Sequence, residues 1–247
     1  MTDPWIFPDW PAPPQVHAAV TTCAGPGISA PPFARFNLGL RSGDAIDAVL
    51  ANRSALQQSL GLPAAPRWLH QVHGIQVAQL GPLATADEPQ ADAAVSHLPG
   101  TVLSILTADC LPVLFCADDG SEIGAAHAGW RGLVGGVLEA TLAELHAPRA
   151  RLLAWLGPCI GAASYEVGEE VRAAFVAHDA AAAACFASTR PGHWRCDLAG
   201  LARQRLRAAG LERIHGGGFD TFTDPRCYSY RRDGARSGRF ASLIWLA

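Results

Sequence analysis

The chain has 247 residues, 49% of them hydrophobic and 17% charged, so it can bury a large core and is too apolar to be intrinsically disordered. Its formal net charge is -3, so it lacks the diffuse positive field that draws proteins to phosphate backbones, and nucleic acid is excluded as a main partner. The most apolar stretch, 101–117, is interrupted by Asp109 and falls short of the roughly 20 residues a membrane-spanning helix needs.

Residues 15–22 read as a strand and lead into a Gly/Pro-rich loop, CAGPGISAPP. A helix is expected over 44–60, with Asp44 as N-cap, an apolar face of Ile46, Val49, Leu50, Leu56 and Leu60, and Gly61 with Pro63 as a stop. Residues 67–80, 101–107, 111–116 and 121–127 are short runs rich in Val, Leu and Ile and read as strands. A helix is expected over 133–146, a buried strand over 151–156, helices over 168–178 and 197–209, and an interior strand over 239–246. Consecutive strands between 101 and 127 do not fit strict βαβ alternation. The expected class is α+β, a mixed sheet flanked by helices in one domain spanning 1–247. No Gly-rich phosphate loop is present. The N-terminal MTDPWIFPDWPAPP has neither a basic start nor an apolar run, so no secretory signal is expected and the protein is placed in the cytoplasm. Seven cysteines without a CxxC pair read as free thiols in a reducing compartment.

Three segments carry candidate chemistry: HQVHG (70–74), TADCLPV (107–113) and AAHAGWRG (125–132). Each sets a metal ligand or nucleophile beside a strand end. His70 and His73 are an odd number of residues apart, so an extended chain points them to opposite faces, and parity leaves open which one faces a site. Asp109 precedes Cys110 inside an apolar stretch, where a carboxylate needs a partner. His127 is flanked by Gly and Ala, and Arg131 stands at the entry to a helix, a favourable place for an anion. Two imidazoles and a thiolate suit zinc, or copper in a trigonal arrangement, and three protein ligands leave a fourth position open, as in catalytic zinc sites.

These segments resemble the YfiH family, also called laccase-domain, polyphenol oxidoreductase or peptidoglycan-editing-factor proteins. The resemblance is nearly full length and extends over FNLGL (36–40), GD (43–44), NR (52–53), QVHG, ADAAVS (91–96), TADCLPVLF, AAHAGWRG, WLGPCIG (155–161), YEVG, CYSYRRD (227–233) and GRFASLIWL. It implies His73, Cys110 and His127 as metal ligands, which selects His73 over His70. It also implies a zinc-dependent purine nucleoside phosphorylase acting on inosine, adenosine or methylthioadenosine with phosphate, with adenosine deaminase activity in the same site. Arg131 with Arg231 or Arg232 would then form the phosphate pocket, and Asn37 and Asp109 are candidate substrate or proton-transfer groups, Asp109 alongside Cys110 in catalysis.

Rival readings remain. A multicopper oxidase wants HxH pairs, and no two of the nine histidines are two apart; a blue-copper axial methionine could only be Met1. The zinc nucleobase deaminase signature fails because Pro158-Cys159 lacks a second cysteine at Ala162. A metal-free cysteine hydrolase or amidase, with Cys110 as nucleophile and His127 or His73 as base, would suit a cell-wall precursor. A partner-binding domain without activity is the remaining class.

Overall fold

The computed structural model describes residues 3–83 and 87–247. Strands β1 (Trp5–Ile6) and β2 (Val16–Thr21) precede helix α1 (Ile46–Leu60). Then come β3 (Val77–Gln79), β4 (Ala93–Ser96), β5 (Val102–Thr107), β6 (Leu111–Ala117) and β7 (Ile123–Ala128). Two short helices, α2 (Trp130–Gly135) and α3 (Val137–Ala143), lead to β8 (Leu152–Leu156), β9 (Glu166–Gly168) and α4 (Glu169–His178). The chain continues through β10 (Phe186–Arg190), β11 (His193–Cys196), α5 (Leu198–Ala208), β12 (Ile214–Gly216), the one-turn α6 (Tyr230–Asp233) and β13 (Phe240–Leu246).

A six-stranded mixed sheet runs β12-β8-β6-β7-β4-β3, and an antiparallel four-stranded sheet runs β1-β2-β13-β5. Side chains alternate across a strand, so a strand covered on both faces is apolar throughout. In β6, Leu111, Val113 and Phe115 face the helices α2 to α5, while Leu114 and Cys116 face the second sheet. Strand β8 repeats this, with Leu152, Ala154 and Leu156 on the helix side and Leu153 and Trp155 between the sheets. The outer face of the four-stranded sheet, with Val102, Ala241 and Leu243, packs on Leu56 of α1 and on Phe36 and Leu38. The layers are helix, sheet, sheet, helices, which is the expected α+β class. A small β10-β11-β9 sheet stands beside them. No helix among the described residues is long and apolar enough to cross a membrane.

Several elements differ from expectation. Asp44 does not cap α1: the N-cap position is Ala45, and the Asp44 carboxylate accepts from Ser29 Oγ at 2.6 Å and Asn37 Nδ2 at 3.0 Å, binding the preceding loop together. Gly61 ends α1 in the left-handed conformation, as expected. Of the run 67–80, only Val77–Gln79 is a strand, because 71–74 is a turn held by a side chain from far along the chain. The helix expected over 133–146 starts at Trp130 and breaks at Gly136, whose φ of 102° suits glycine and allows it to cap α2 and open α3. Asp197 caps α5 by accepting from Gly200 N, and β13 is interior, between β2 and β5.

Candidate active site

One end of the central strands of the six-stranded sheet gathers the beginning of β6, the end of β7 and the beginning of β4. Pro112 of β6 pairs with His127 of β7, and His127 N–H donates to the Asp92 carbonyl at 2.7 Å just before β4. Cys110 lies where the chain passes from β5 in one sheet to β6 in the other, after Asp109, which adopts φ 89°. His73 has φ 61° at the apex of the 71–74 turn. Backbone N–H groups of Val72, His73 and Gly74 donate to the Asp92 carboxylate at 3.1, 2.9 and 2.7 Å, so one buried acid sets the turn. The other role of that acid is to hold His127, whose Nδ1 lies 2.8 Å from Asp92 Oδ1.

His73, Cys110 and His127 each offer a donor atom within 4.8 Å of the others, and Cys110 Sγ is 3.9 Å from His73 Nε2. The two imidazole rings meet edge to face at 4.8 Å. His70 is outside this group; its backbone bridges to Gln90. Burial alone would raise the Cys110 thiol, but the His127 and His73 imidazoles outweigh it and bring the thiol down to about 6. Burial likewise opposes charge on His127, and the facing thiolate and Asp92 overcome it, raising the imidazole to about 9. The donor set fits a borderline transition ion such as zinc, with His127 locked through its other nitrogen by a carboxylate, the usual support for a metal-binding imidazole.

Gly129 makes this convergence possible. A β-carbon there would lie 2.9 Å from Cys110 Sγ and 3.0 Å from His73 Cδ2. Its φ of -61° is open to any residue, so the constraint is close approach alone. Gly129→Ala is therefore expected to fold, with a melting temperature near wild type, and to bind metal at least about tenfold more weakly because two donors are pushed apart. Competition with a chromophoric chelator measures this, and wild-type affinity would refute the close-approach account.

The three donors sit in a cleft of ~540 Å³, within the roughly 300–1,000 Å³ range of small-molecule sites. Arg131 and Arg231 line it, together with Arg41 and Arg239, which the sequence reading did not single out. The Arg131 guanidinium lies 4.4 Å over the Trp130 ring and hydrogen-bonds to no protein acceptor among the described residues. Arg231 Nη1 donates to the Glu166 carbonyl, and its guanidinium is 5.3 Å from the Tyr165 ring. Asp109 borders the cleft but has both carboxylate oxygens engaged, by Thr221 Oγ1 and by Arg231 N–H, each at 2.6 Å.

Two other candidates lie elsewhere. Asn37 is fully buried behind the cleft wall; its amide donates to Ser42 and Asp44 and accepts from Gly39 N and Arg239 N. Arg232 points away, donating to the carbonyls of Thr221, Phe222 and Cys227 and pairing with Asp233. Asp92 was missed as a site residue although ADAAVS was noted; an acid at the head of an apolar run is the same signal that marked Asp109. All seven cysteines are free, and Met1 lies outside the described residues.

Residues 17–247 match the family described as multi-copper polyphenol oxidoreductase laccase. A purine nucleoside phosphorylase of Xylella fastidiosa is 55% identical, with 98% of this chain and 97% of that protein covered. The purine nucleoside phosphorylase YfiH of Escherichia coli is 48% identical over 98% of both chains. A crystal structure of a Neisseria meningitidis protein superposes with a TM-score of 0.93 at 41% identity, covering 99% of each chain. Similarity of this extent, spanning every segment that builds the cleft, shows that the chain belongs to the multi-copper polyphenol oxidoreductase laccase family, in which YfiH is a relative.

Proposed function

We propose that the protein is a metal-dependent purine nucleoside phosphorylase whose ion, zinc, is held by His73, Cys110 and His127. The observation that carries this reading is the His/Cys/His donor set at the floor of an arginine-lined cleft, and relatives bearing that enzyme name support it. Zinc bound there would act as a Lewis acid on a substrate or water oxygen. Phosphorolysis forms a bond between a phosphate oxygen and C1′ of the ribose as the N-glycosidic bond breaks, and the leaving purine takes up a proton. The chain's part is to hold a multiply charged phosphate against the sugar. Arg131 suits this because its guanidinium donates to no protein acceptor among the described residues, and Arg231, which also lines the cleft, adds charge. Trp130, Tyr165 and Tyr230 offer aromatic faces to the purine. Asp109 positions the site, tying Arg231 and the Thr221 loop to the residue beside Cys110. Asn37 acts through the loop 37–44 that walls the cleft, without touching substrate.

Inosine, adenosine and methylthioadenosine are the substrates to test, with ribose 1-phosphate (or its methylthio analogue) and free base as products. Deamination of adenosine, seen as ammonia release, is proposed for the same cleft. Phosphate-dependent release of base, lost on chelation and restored by zinc, is the decisive result; phosphate-independent turnover would refute phosphorolysis. Arg131→Ala is expected to raise KM for phosphate roughly 10- to 100-fold, since a charged hydrogen bond contributes about 1.5–3 kcal/mol, with a smaller change in KM for nucleoside. An unchanged phosphate KM removes Arg131 from the pocket.

A second reading is favoured by one arrangement. Asp92, His127 and Cys110 stand in the order carboxylate, imidazole, thiol, which is also the order of a cysteine hydrolase. An amidase acting on a cell-wall precursor would use Cys110 as nucleophile and no metal. A copper oxidase reading rests on the family's description alone.

A further inference from the structure

The β4–β7 ladder carries a carboxylate–imidazole pair at each end. Asp92 and His127 stand at the cleft end; the antiparallel register from Ala93↔Ala126 to Ser96↔Ile123 sets His97 beside Glu122 at the other. Glu122 and His127 are five positions apart, so the two pairs are roughly 16 Å apart at the ~3.3 Å rise of a strand. At the far end a third donor joins. His146, in the loop after α3, lies against His97, and one ligand atom from each of His97, Glu122 and His146 falls within 4.8 Å of the others.

We propose that His97, Glu122 and His146 form a second metal site, for a borderline divalent transition ion such as zinc. Two imidazoles and one carboxylate suit such an ion, whereas calcium and magnesium favour all-oxygen sets. Three observations support a site over a chance cluster. Glu122 is 1% exposed, and the only basic side chain paired with it among the described residues is His97, through Nδ1 at 3.1 Å. A buried carboxylate whose only counter-charge is an imidazole is short of positive charge whenever that imidazole is neutral, and a divalent ion supplies it. Secondly, His97 Nε2 is buried without a hydrogen-bond partner. Thirdly, Glu122 is already fixed: its two oxygens accept from His146 N–H at 2.8 Å and Ala147 N–H at 2.7 Å, so the acid also holds the loop that carries the third donor.

The His97 and His146 rings now stack at 4.3 Å and 4°, which places their nitrogens side by side without converging. Metal binding therefore requires the exposed His146 ring to swing out of the stack, a small change for a surface side chain. The other charged groups of the groove, Asp119 and Arg151, pair with each other at 2.8 Å, and Arg151 also pairs with Asp118, so its charge is offset by two acids. Bound metal would tie the 145–147 loop to the end of the β4–β7 pair remote from the cleft.

The test uses tag-free, chelator-stripped full-length protein titrated with cobalt(II), because a thiolate–cobalt charge-transfer band marks the Cys110 site and an imidazole–carboxylate site gives none. Wild type should take two equivalents, only one of them with the thiolate band. Cys110→Ser should still take one equivalent without the band, and adding His146→Ala or His97→Ala should weaken that equivalent by at least about tenfold. His146 is exposed, so His146→Ala should keep its fold by circular dichroism. The proposal is overturned if Cys110→Ser takes up no tight cobalt, or if uptake by Cys110→Ser is indifferent to His146→Ala and His97→Ala. Failure of the first site is separate: the thiolate band would be missing from wild type while the bandless equivalent persists.

Discussion

Asp92→Asn is expected to lower metal affinity at the His73–Cys110–His127 site by about 10- to 100-fold and to lower the melting temperature as well. Asp92 accepts four contacts, Val72 and Gly74 N–H on one oxygen and His73 N–H and His127 Nδ1 on the other. An amide has one accepting end. If the Asn oxygen takes the Val72 and Gly74 end, its NH2 faces a backbone donor and pushes His127 to accept at Nδ1, which puts the proton on Nε2, the nitrogen needed for the ion. With the amide reversed, the turn carrying His73 loses its donors' partner. Each buried donor left unsatisfied costs about 1–3 kcal/mol. Burial alone would raise the Asp92 carboxyl, but His127 and the turn's N–H groups lower it below its ordinary value. A carboxyl depressed on folding adds stability that is fully present above its unfolded value, near pH 4, and is lost as pH falls through the lower folded value. Asp92→Asn should lack that part of the acid slope. Metal titration and melting curves from pH 2 to 7 check both statements; an Asn variant matching wild type in both would mean Asp92 does not organise the site.

How far the sequence could be read depended on how local the determining interactions are. Strands β6, β8 and β13 were legible because both of their faces are buried and every position but Ser242 of β13 is apolar. Residues 67–80 resembled them in composition, yet Val72 and Ile75 are exposed on a turn fixed by Asp92, twenty residues away. Asp44 had the local pattern of a cap, but Ser29 and Asn37 recruit it from the preceding loop. The helix expected over 133–146 spans Gly135 and Gly136, and Gly136 breaks it in the left-handed conformation. At the site, residue type alone pointed to a thiolate and imidazoles. Strand parity could not choose between His70 and His73, because the chain there is no strand and His73 takes a left-handed conformation. Asn37 and Arg232 have the right chemistry for substrate but spend it on hydroxyls, carboxylates and carbonyls within the fold, and only tertiary structure reveals those partners.

Cys110→Ser distinguishes the two mechanisms that share these side chains, and its expected effect on activity is the largest of all. As a metal ligand the thiolate is tied to the ion and is a poor external nucleophile; as a hydrolase nucleophile it must be free to form a covalent intermediate. Under the metal reading, Cys110→Ser loses metal and phosphorolysis together, by at least about a thousandfold in kcat/KM, equivalent to roughly 4 kcal/mol of transition-state stabilisation. Chelation inactivates the wild type, zinc restores it, and alkylation of Cys110 is slow until the ion is removed. In the metal-free protein the neighbouring imidazoles bring the thiol to about 6, so alkylation should rise through pH 6, well below the range of an ordinary thiol near 8.5. Cys116, Cys159, Cys196 and Cys227 are buried, and burial pushes them and the half-buried Cys23 and Cys185 upward, so near pH 6 alkylation should report Cys110. Full nucleoside cleavage by chelated protein, abolished by alkylating Cys110, would refute the metal mechanism and establish the thiolate as nucleophile.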